Sequence, residues 1–140
     1  MLLACTTPVG AQTPDDRATT LHAIHQLENP RDLTRAGPRG ELGAYQFRAS
    51  TWQMHTSEPF VRALERPVSD EVAVRHYEWL KRGLAAARVP VTPYTIALAW
   101  NGGLTAAITG RAPRAARDYA SRAENLAGVL RSEMLVASVR

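Results

Sequence analysis

The chain has 140 residues, 45% of them hydrophobic, which suits one domain around one core and speaks against a disordered chain. Lysine and arginine outnumber the acids 17 to 13 for a net charge of +4, and Lys81 is the only lysine, so the positive charge is almost all guanidinium. A single cysteine, Cys5, excludes an intrachain disulfide and a cysteine zinc cluster, and no window approaches the ~18 consecutive apolar residues of a membrane-spanning helix.

Residues 1–16 are set outside the folded domain, as the remnant of an export signal or a disordered leader. Val9-Gly10-Ala11 offers a small-residue cleavage site. Leu2-Leu3-Ala4-Cys5 resembles a lipoprotein box in which Cys5 would carry a lipid anchor. Both point to an exported protein of the periplasm or cell envelope; an unstructured start with no address is the alternative. The folded domain is expected over residues 17–140.

Helical patterning begins at Arg17. Leu21, Ile24, His25 and Glu28 fall at i, i+3, i+4 and i+7, one face of an α-helix. Pro30 disfavours helix at Asn29, so this helix ends just after Glu28. The stretch from Pro30 to Gly43 reads as a glycine-rich loop or short hairpin. A short helix follows over Ala49–Met54 and another around Pro59–Glu65. Ser69-Asp70-Glu71 reads as a helix start, with a capping hydroxyl and first-turn acids, opening a helix to about Ala87. Its inward positions are Ala73, Tyr77, Leu80 and Leu84. Thr92-Pro93 repeats the start signal, and that helix ends at Asn101-Gly102-Gly103. A last helix covers roughly Arg114–Leu130, with Tyr119, Leu126 and Leu130 inward. The expected class is mainly α.

Glu28 is the leading candidate for chemistry. A carboxyl on an apolar helix face is desolvated, which raises its pKa, and the negative end of the helix dipole pushes the same way. An acid that stays protonated near neutral pH can protonate the leaving oxygen of a glycosidic bond. A solvated glutamate at a frayed helix end is the alternative.

The following segment, Gly40-Glu41-Leu42-Gly43-Ala44-Tyr45-Gln46-Phe47 and then Ser50-Thr51-Trp52, resembles the signature of the soluble lytic transglycosylases and related lysozyme-fold muramidases. In that family a helix ends in the catalytic glutamate and a Gly-x-x-Gly loop closes on a glutamine. A second family motif, an alanine-rich helix ending in Tyr-Asn-Ala-Gly, is matched by Ala97-Leu98-Ala99-Trp100-Asn101-Gly102-Gly103. A third, a tyrosine in a C-terminal helix, is matched by Tyr119. Departures are Asn29 where the family has serine, Trp100 for tyrosine, Gly102 for alanine, and Tyr45 where methionine is usual.

The resemblance implies a lysozyme-like, mainly α (α+β) domain with a substrate cleft between helical lobes. It implies cleavage of the β-1,4 bond between N-acetylmuramic acid and N-acetylglucosamine in peptidoglycan, by a monomer with no metal or organic cofactor. Glu28 would be acid then base. Gly43, Tyr45, Gln46 and Asn101 would bind the glycan, and Tyr119 would orient Glu28. Glu41, inside the glycine loop, is the candidate second carboxylate, able to direct a water for hydrolysis; a solvated loop acid is its alternative. A wall-binding module without turnover is the rival from another class.

Other signals are weaker. His22 and His25 stand i, i+3 on the first helix, with His55 and His76 elsewhere, but no third zinc ligand follows at suitable spacing. Arg111, Arg114, Arg117 and Arg122 make a basic region with no nucleic-acid-binding motif, so nucleic acid is not an expected partner.

Overall fold

Prolines and glycines set most of the helix boundaries in the computed structural model, which describes residues 14–140. The leader stretch with Cys5 and Val9-Gly10-Ala11 lies outside the described residues. Helix α1 (Pro14–Glu28) starts three residues before the expected Arg17. Proline suits a helix start because the first N–H groups have no intrahelical partner. As anticipated from Pro30, α1 stops at Glu28.

A loop of 20 residues leads to α2 (Ala49–His55), followed by a 3-10 turn (Phe60–Leu64). Helix α3 (Arg66–Ala86) begins three residues before the expected Ser69 start, with Pro67 in its first turn. The proline takes a position where its missing N–H costs nothing, so Ser69 falls inside the helix and is buried rather than capping it. Helix α4 (Pro93–Gly102) has the expected Thr92 cap. The Thr92 hydroxyl accepts from the Thr95 N–H at 3.1 Å, and the Thr92 N–H donates to the Thr95 hydroxyl at 2.9 Å. Gly103, at φ 92, ends it and leads into α5 (Leu104–Thr109), a helix the sequence reading lacked.

Helix α6 (Arg114–Ser138) runs eight residues beyond the expected end near Leu130. No glycine or proline follows Gly128 to stop it, and Arg131 pairs with Asp16 at the start of α1. Its buried seam is Ala116, Tyr119, Ala120, Ala123 and Ala127, whereas Leu126 and Leu130 are only half-buried. The seam is mostly alanine because α6 lies close against both α1 and α4.

Helix α4 is the centre of the fold. Ile96 and Ala99 join one core cluster with Leu21, Ile24, Phe47, Trp52, Tyr77 and Leu80, while Ala97 and Leu98 join a second with Tyr119 and the α6 alanines. A helix apolar on both sides is buried on both sides. The expected α3 positions Ala73, Tyr77, Leu80 and Leu84 are all in the first core.

The architecture is mainly α. Among the described residues no strand forms; the hairpin reduces to one bridge between Leu42 and Phe47. No helix among these residues is long and apolar enough to cross a membrane. The bridge closes a tight turn at Gly43, whose φ of 81 suits glycine. A Cβ at Gly43 would sit 1.9 Å from the Ala63 carbonyl oxygen, so the 3-10 turn touches bare backbone there.

Gly40 shares the positive φ, 79, but has open space around it. Gly40→Ala should therefore cost only the left-handed backbone strain, ~1–2 kcal/mol. Gly43→Ala adds a collision and should cost roughly 2–5 kcal/mol. Paired denaturant titrations measure both, and equal losses would show that close packing at Gly43 contributes nothing.

Candidate functional site

The carboxyl of Glu28 ends α1 at the point where two surface hollows meet. One, of about 550 Å³, is lined by Glu41, Gln46, Thr51, His76, Trp100 and Asn101 among others. The second, of about 430 Å³, is bounded by Asn29, Leu33, Arg35 and Gly37. Glu28, Pro38 and Gln46 line both, so the two hollows adjoin at the carboxyl and together make a surface groove.

Burial removes water from Glu28 and raises its pKa, and the negative charge of Glu41 adds to the rise. Against this, the Tyr119 hydroxyl donates to Glu28 Oε1 at 2.8 Å and partly steadies the ionised form. The net shift is upward. Tyr119 is itself buried, and desolvation together with the adjacent carboxyl holds its phenol firmly protonated. The bond therefore runs from hydroxyl to carboxyl in one direction and fixes which oxygen of Glu28 faces the groove.

Glu41 is the electrostatic opposite. The Arg39 N–H donates to its Oε2 at 2.8 Å, and backbone donation of this kind lowers its pKa, with Arg48 and Arg39 helping. Two acids thus line one groove, one pushed toward its neutral form and one toward its charged form. Such divergence marks acid–base sites in general.

The loop that carries these groups is tied to α1 by Asn29. Its Oδ1 accepts from the Leu33 N–H at 2.9 Å, and its Nδ2 donates to the Leu33 carbonyl at 2.9 Å and the Gly43 carbonyl at 3.2 Å. A serine side chain is too short to span both partners, which gives Asn29 a structural role. The Gly43 carbonyl also accepts from the Gln46 N–H at 3.1 Å and the Gln46 Nε2 at 2.9 Å. Gln46 is held at φ 47, a conformation that costs a non-glycine residue ~1–2 kcal/mol. Gln46 lines both hollows, with its Nε2 engaged.

Glu28, Gln46, Glu41, Asn101 and Tyr119 thus come together as the sequence suggested. Tyr45 and Gly43 do not. Tyr45 is only 4% exposed and lines neither hollow; its hydroxyl donates to Asp70 Oδ1 at 2.7 Å. Its ring packs on His25, Phe47 and Trp100, with the Arg66 guanidinium 5.9 Å from the ring centre. Ala44 and Tyr45 are buried within the turn, and the chain brings Gln46 to the hollows only at the turn's end. Gly43 is buried under the 3-10 turn and orders the loop rather than lining the groove.

His25 joins a structural network, in keeping with a histidine that has no third zinc ligand at suitable spacing. Its Nε2 lies 2.8 Å from Asp32 Oδ1, and Arg66 bridges Asp32 and Asp70. Among the described residues, no group of three or more His, Cys, Asp and Glu could hold a metal ion. Residues the sequence did not nominate for the site also line the groove: Arg39 and Arg48, Thr51 of the Ser50-Thr51-Trp52 segment, and His76. His76 had a further sequence signal, as a histidine on the apolar face that carries Ala73 and Leu80. No protein-family model, no curated protein and no solved structure matches the chain.

The raised pKa of Glu28 has a consequence for stability. A group whose pKa is higher folded than unfolded contributes fully below the unfolded value, here 4.5, and loses that contribution as pH rises through the folded value. Glu28→Gln keeps the size and an acceptor for Tyr119 but cannot ionise. The variant should be more stable than the natural chain at pH 7 and indistinguishable near pH 4. Urea unfolding at several pH values tests this, and a pH-independent difference would contradict the burial of a reluctant charge.

Proposed function

We propose that this protein cleaves the β-1,4 bond between N-acetylmuramic acid and N-acetylglucosamine in peptidoglycan, as a lytic transglycosylase on a lysozyme-like domain. The observation that carries the reading is Glu28: a desolvated carboxyl, aimed by a buried tyrosine, at the junction of two halves of a groove. A glycan strand lying through the groove would span the carboxyl with sugars on both sides. Glu28 donates its proton to the leaving oxygen. As a carboxylate it then takes the proton from the muramoyl 6-hydroxyl, which closes a 1,6-anhydro ring on C1.

Gln46 and Asn101 supply donors and acceptors for hydroxyl and acetamido groups, and Trp100 an apolar face for a sugar ring. Tyr45 and Gly43 act behind the loop. The arginines on the rim, Arg35, Arg39 and Arg48, suit a polymer whose stem peptides carry carboxylates. Peptidoglycan also agrees with an exported protein of the cell envelope, the address read from the leader residues.

A second reading rests on Glu41. A carboxylate held charged in the same groove could position and deprotonate a water, making the protein a hydrolytic muramidase. The two readings differ in product, since hydrolysis leaves a reducing end.

Purified peptidoglycan treated with the protein should release anhydro-muramyl fragments, identified by mass. Release by Glu28→Gln should fall about 10²–10⁴-fold, the usual contribution of a positioned general acid. Activity should decline as pH rises through the Glu28 pKa, because the protonated form is the acid. Reducing ends in place of anhydro sugars would establish the second reading. No release by the folded natural chain would defeat both and leave wall binding without turnover.

A further inference from the structure

The larger hollow is lined by an imidazole that the reaction above does not use, and a second imidazole is paired with it. His76, on α3, is 8% exposed and lines the hollow beside Trp100 and Thr51. Its ring is packed from several directions. Trp79 stacks on it with 13° between planes and centres 5.8 Å apart, Trp100 meets it edge-on at 4.7 Å, and Phe47 does so at 6.2 Å. A ring so enclosed cannot turn without disturbing the core.

One nitrogen of His76 is committed. Its Nδ1 lies 2.9 Å from His55 Nε2, from the end of α2. The other, Nε2, makes no hydrogen bond within the described residues, yet it is not sealed off: among those residues the only fully buried side-chain nitrogen or oxygen without a partner is Ser69 Oγ. Nε2 is thus left open to a partner from outside the chain, and His76 lines the larger hollow.

We infer that His76 is a sugar-reading residue of the groove, presenting a fixed Nε2–H to an acetamido carbonyl oxygen, and that His55 is the positioning residue that sets its tautomer. The inference rests on the glycan reading of the site. Neutral imidazole in water prefers its proton on Nε2. With that tautomer His55 donates through Nε2 to His76 Nδ1, which leaves the His76 proton on Nε2 as well. Both rings then hold their preferred form, and a single donor faces the groove. Burial and the neighbouring His55 press the His76 pKa down to about 3, so the ring is neutral throughout the working range. A neutral donor, fixed before the ligand arrives, loses little entropy on binding. It distinguishes a carbonyl acceptor from a bare hydroxyl by geometry rather than by charge.

The test uses the full chain labelled with 15N and observed by long-range proton–nitrogen correlation of its histidine rings. The free protein should show both His55 and His76 in the Nε2–H form. The trisaccharide of N-acetylglucosamine should then shift the His76 Nε2 signal together with the side-chain amides of Gln46 and Asn101. Cellotriose, which has hydroxyls in place of acetamido groups, should move the His76 signal far less.

If the amides of Gln46 and Asn101 respond to the N-acetylated sugar and His76 does not, the inference is overturned while the glycan reading stands. If none responds, both fall. A His76 proton found on Nδ1 would also overturn the inference.

Three variants add a functional readout. His76→Phe keeps the packed ring and should weaken trisaccharide binding about tenfold, the loss expected for one well-placed hydrogen bond. In turnover it should raise KM with kcat within a factor of about three. His55→Gln retains an N–H donor for His76 Nδ1 and should bind nearly as well as the natural chain, whereas His55→Leu should bind as weakly as His76→Phe. Equal binding by all four proteins would overturn the proposal.

Discussion

One hydrogen bond, from Tyr119 to Glu28, spans 91 residues of sequence and makes severe demands on the fold around it. A carboxyl taken out of water and left without a partner would destabilise the chain by several kcal/mol if forced to ionise, roughly the scale of a small domain's whole stability. The tyrosine must therefore reach it, which requires α6 to cross α1 closely. Large side chains along α6 would hold the helices apart. The seam instead carries Ala116, Ala120, Ala123 and Ala127, and Tyr119 is the one long residue in it. The small residues set the spacing, and the spacing places the hydroxyl.

A second constraint fixes the other wall of the groove. The Gly43 carbonyl collects donors from Asn29 and from both the backbone and side chain of Gln46. Since Asn29 is the next residue after Glu28, this carbonyl ties the acid's own helix to the loop opposite it. The strained φ of Gln46 is sustained by the same bonds. Behind the loop, Tyr45, Asp70, Arg66, Asp32 and His25 form a chain of hydrogen bonds and ion pairs that fastens the loop to α3 and α1. These pairs are mostly half-exposed and each adds little alone, but together they define one position for the loop.

Much of this was legible in the sequence, because some signals act locally. Pro30 stops a helix at Glu28, and Thr92-Pro93 starts one, whatever the rest of the chain does. The apolar period in α3 identified its buried side even though its first residues were misjudged. There Ser69 and Pro67 competed for the start, and the proline prevailed because its position is a steric matter while a cap is one hydrogen bond. The direction of Tyr45 could not be read, since it depends on where Asp70 and Arg66 stand in three dimensions. The same holds for the setting of His76, which has four aromatic neighbours contributed by three separate parts of the chain and by its own helix. Glu28 and Tyr119 were named together through a family resemblance; spacing alone would not pair residues so far apart.

The two carboxylates of the groove owe their difference to what donates to each. Glu28 receives one hydroxyl, which is a weaker stabiliser of charge than the water it replaces, so its pKa is raised. Glu41 receives a backbone N–H and stands near Arg39 and Arg48, while keeping access to solvent, so its proton is lost. An ionised neighbour makes Glu28 a weaker acid and therefore more fully protonated before the reaction. Once Glu28 has given up its proton, the same neighbour makes it a better base. On the proposed chemistry both changes favour catalysis, and neither requires Glu41 to touch the sugar. Its contribution through charge alone is thus compatible with ring closure as well as with hydrolysis. What separates the two is whether the muramoyl 6-hydroxyl or a water occupies the space between the acids when the bond opens.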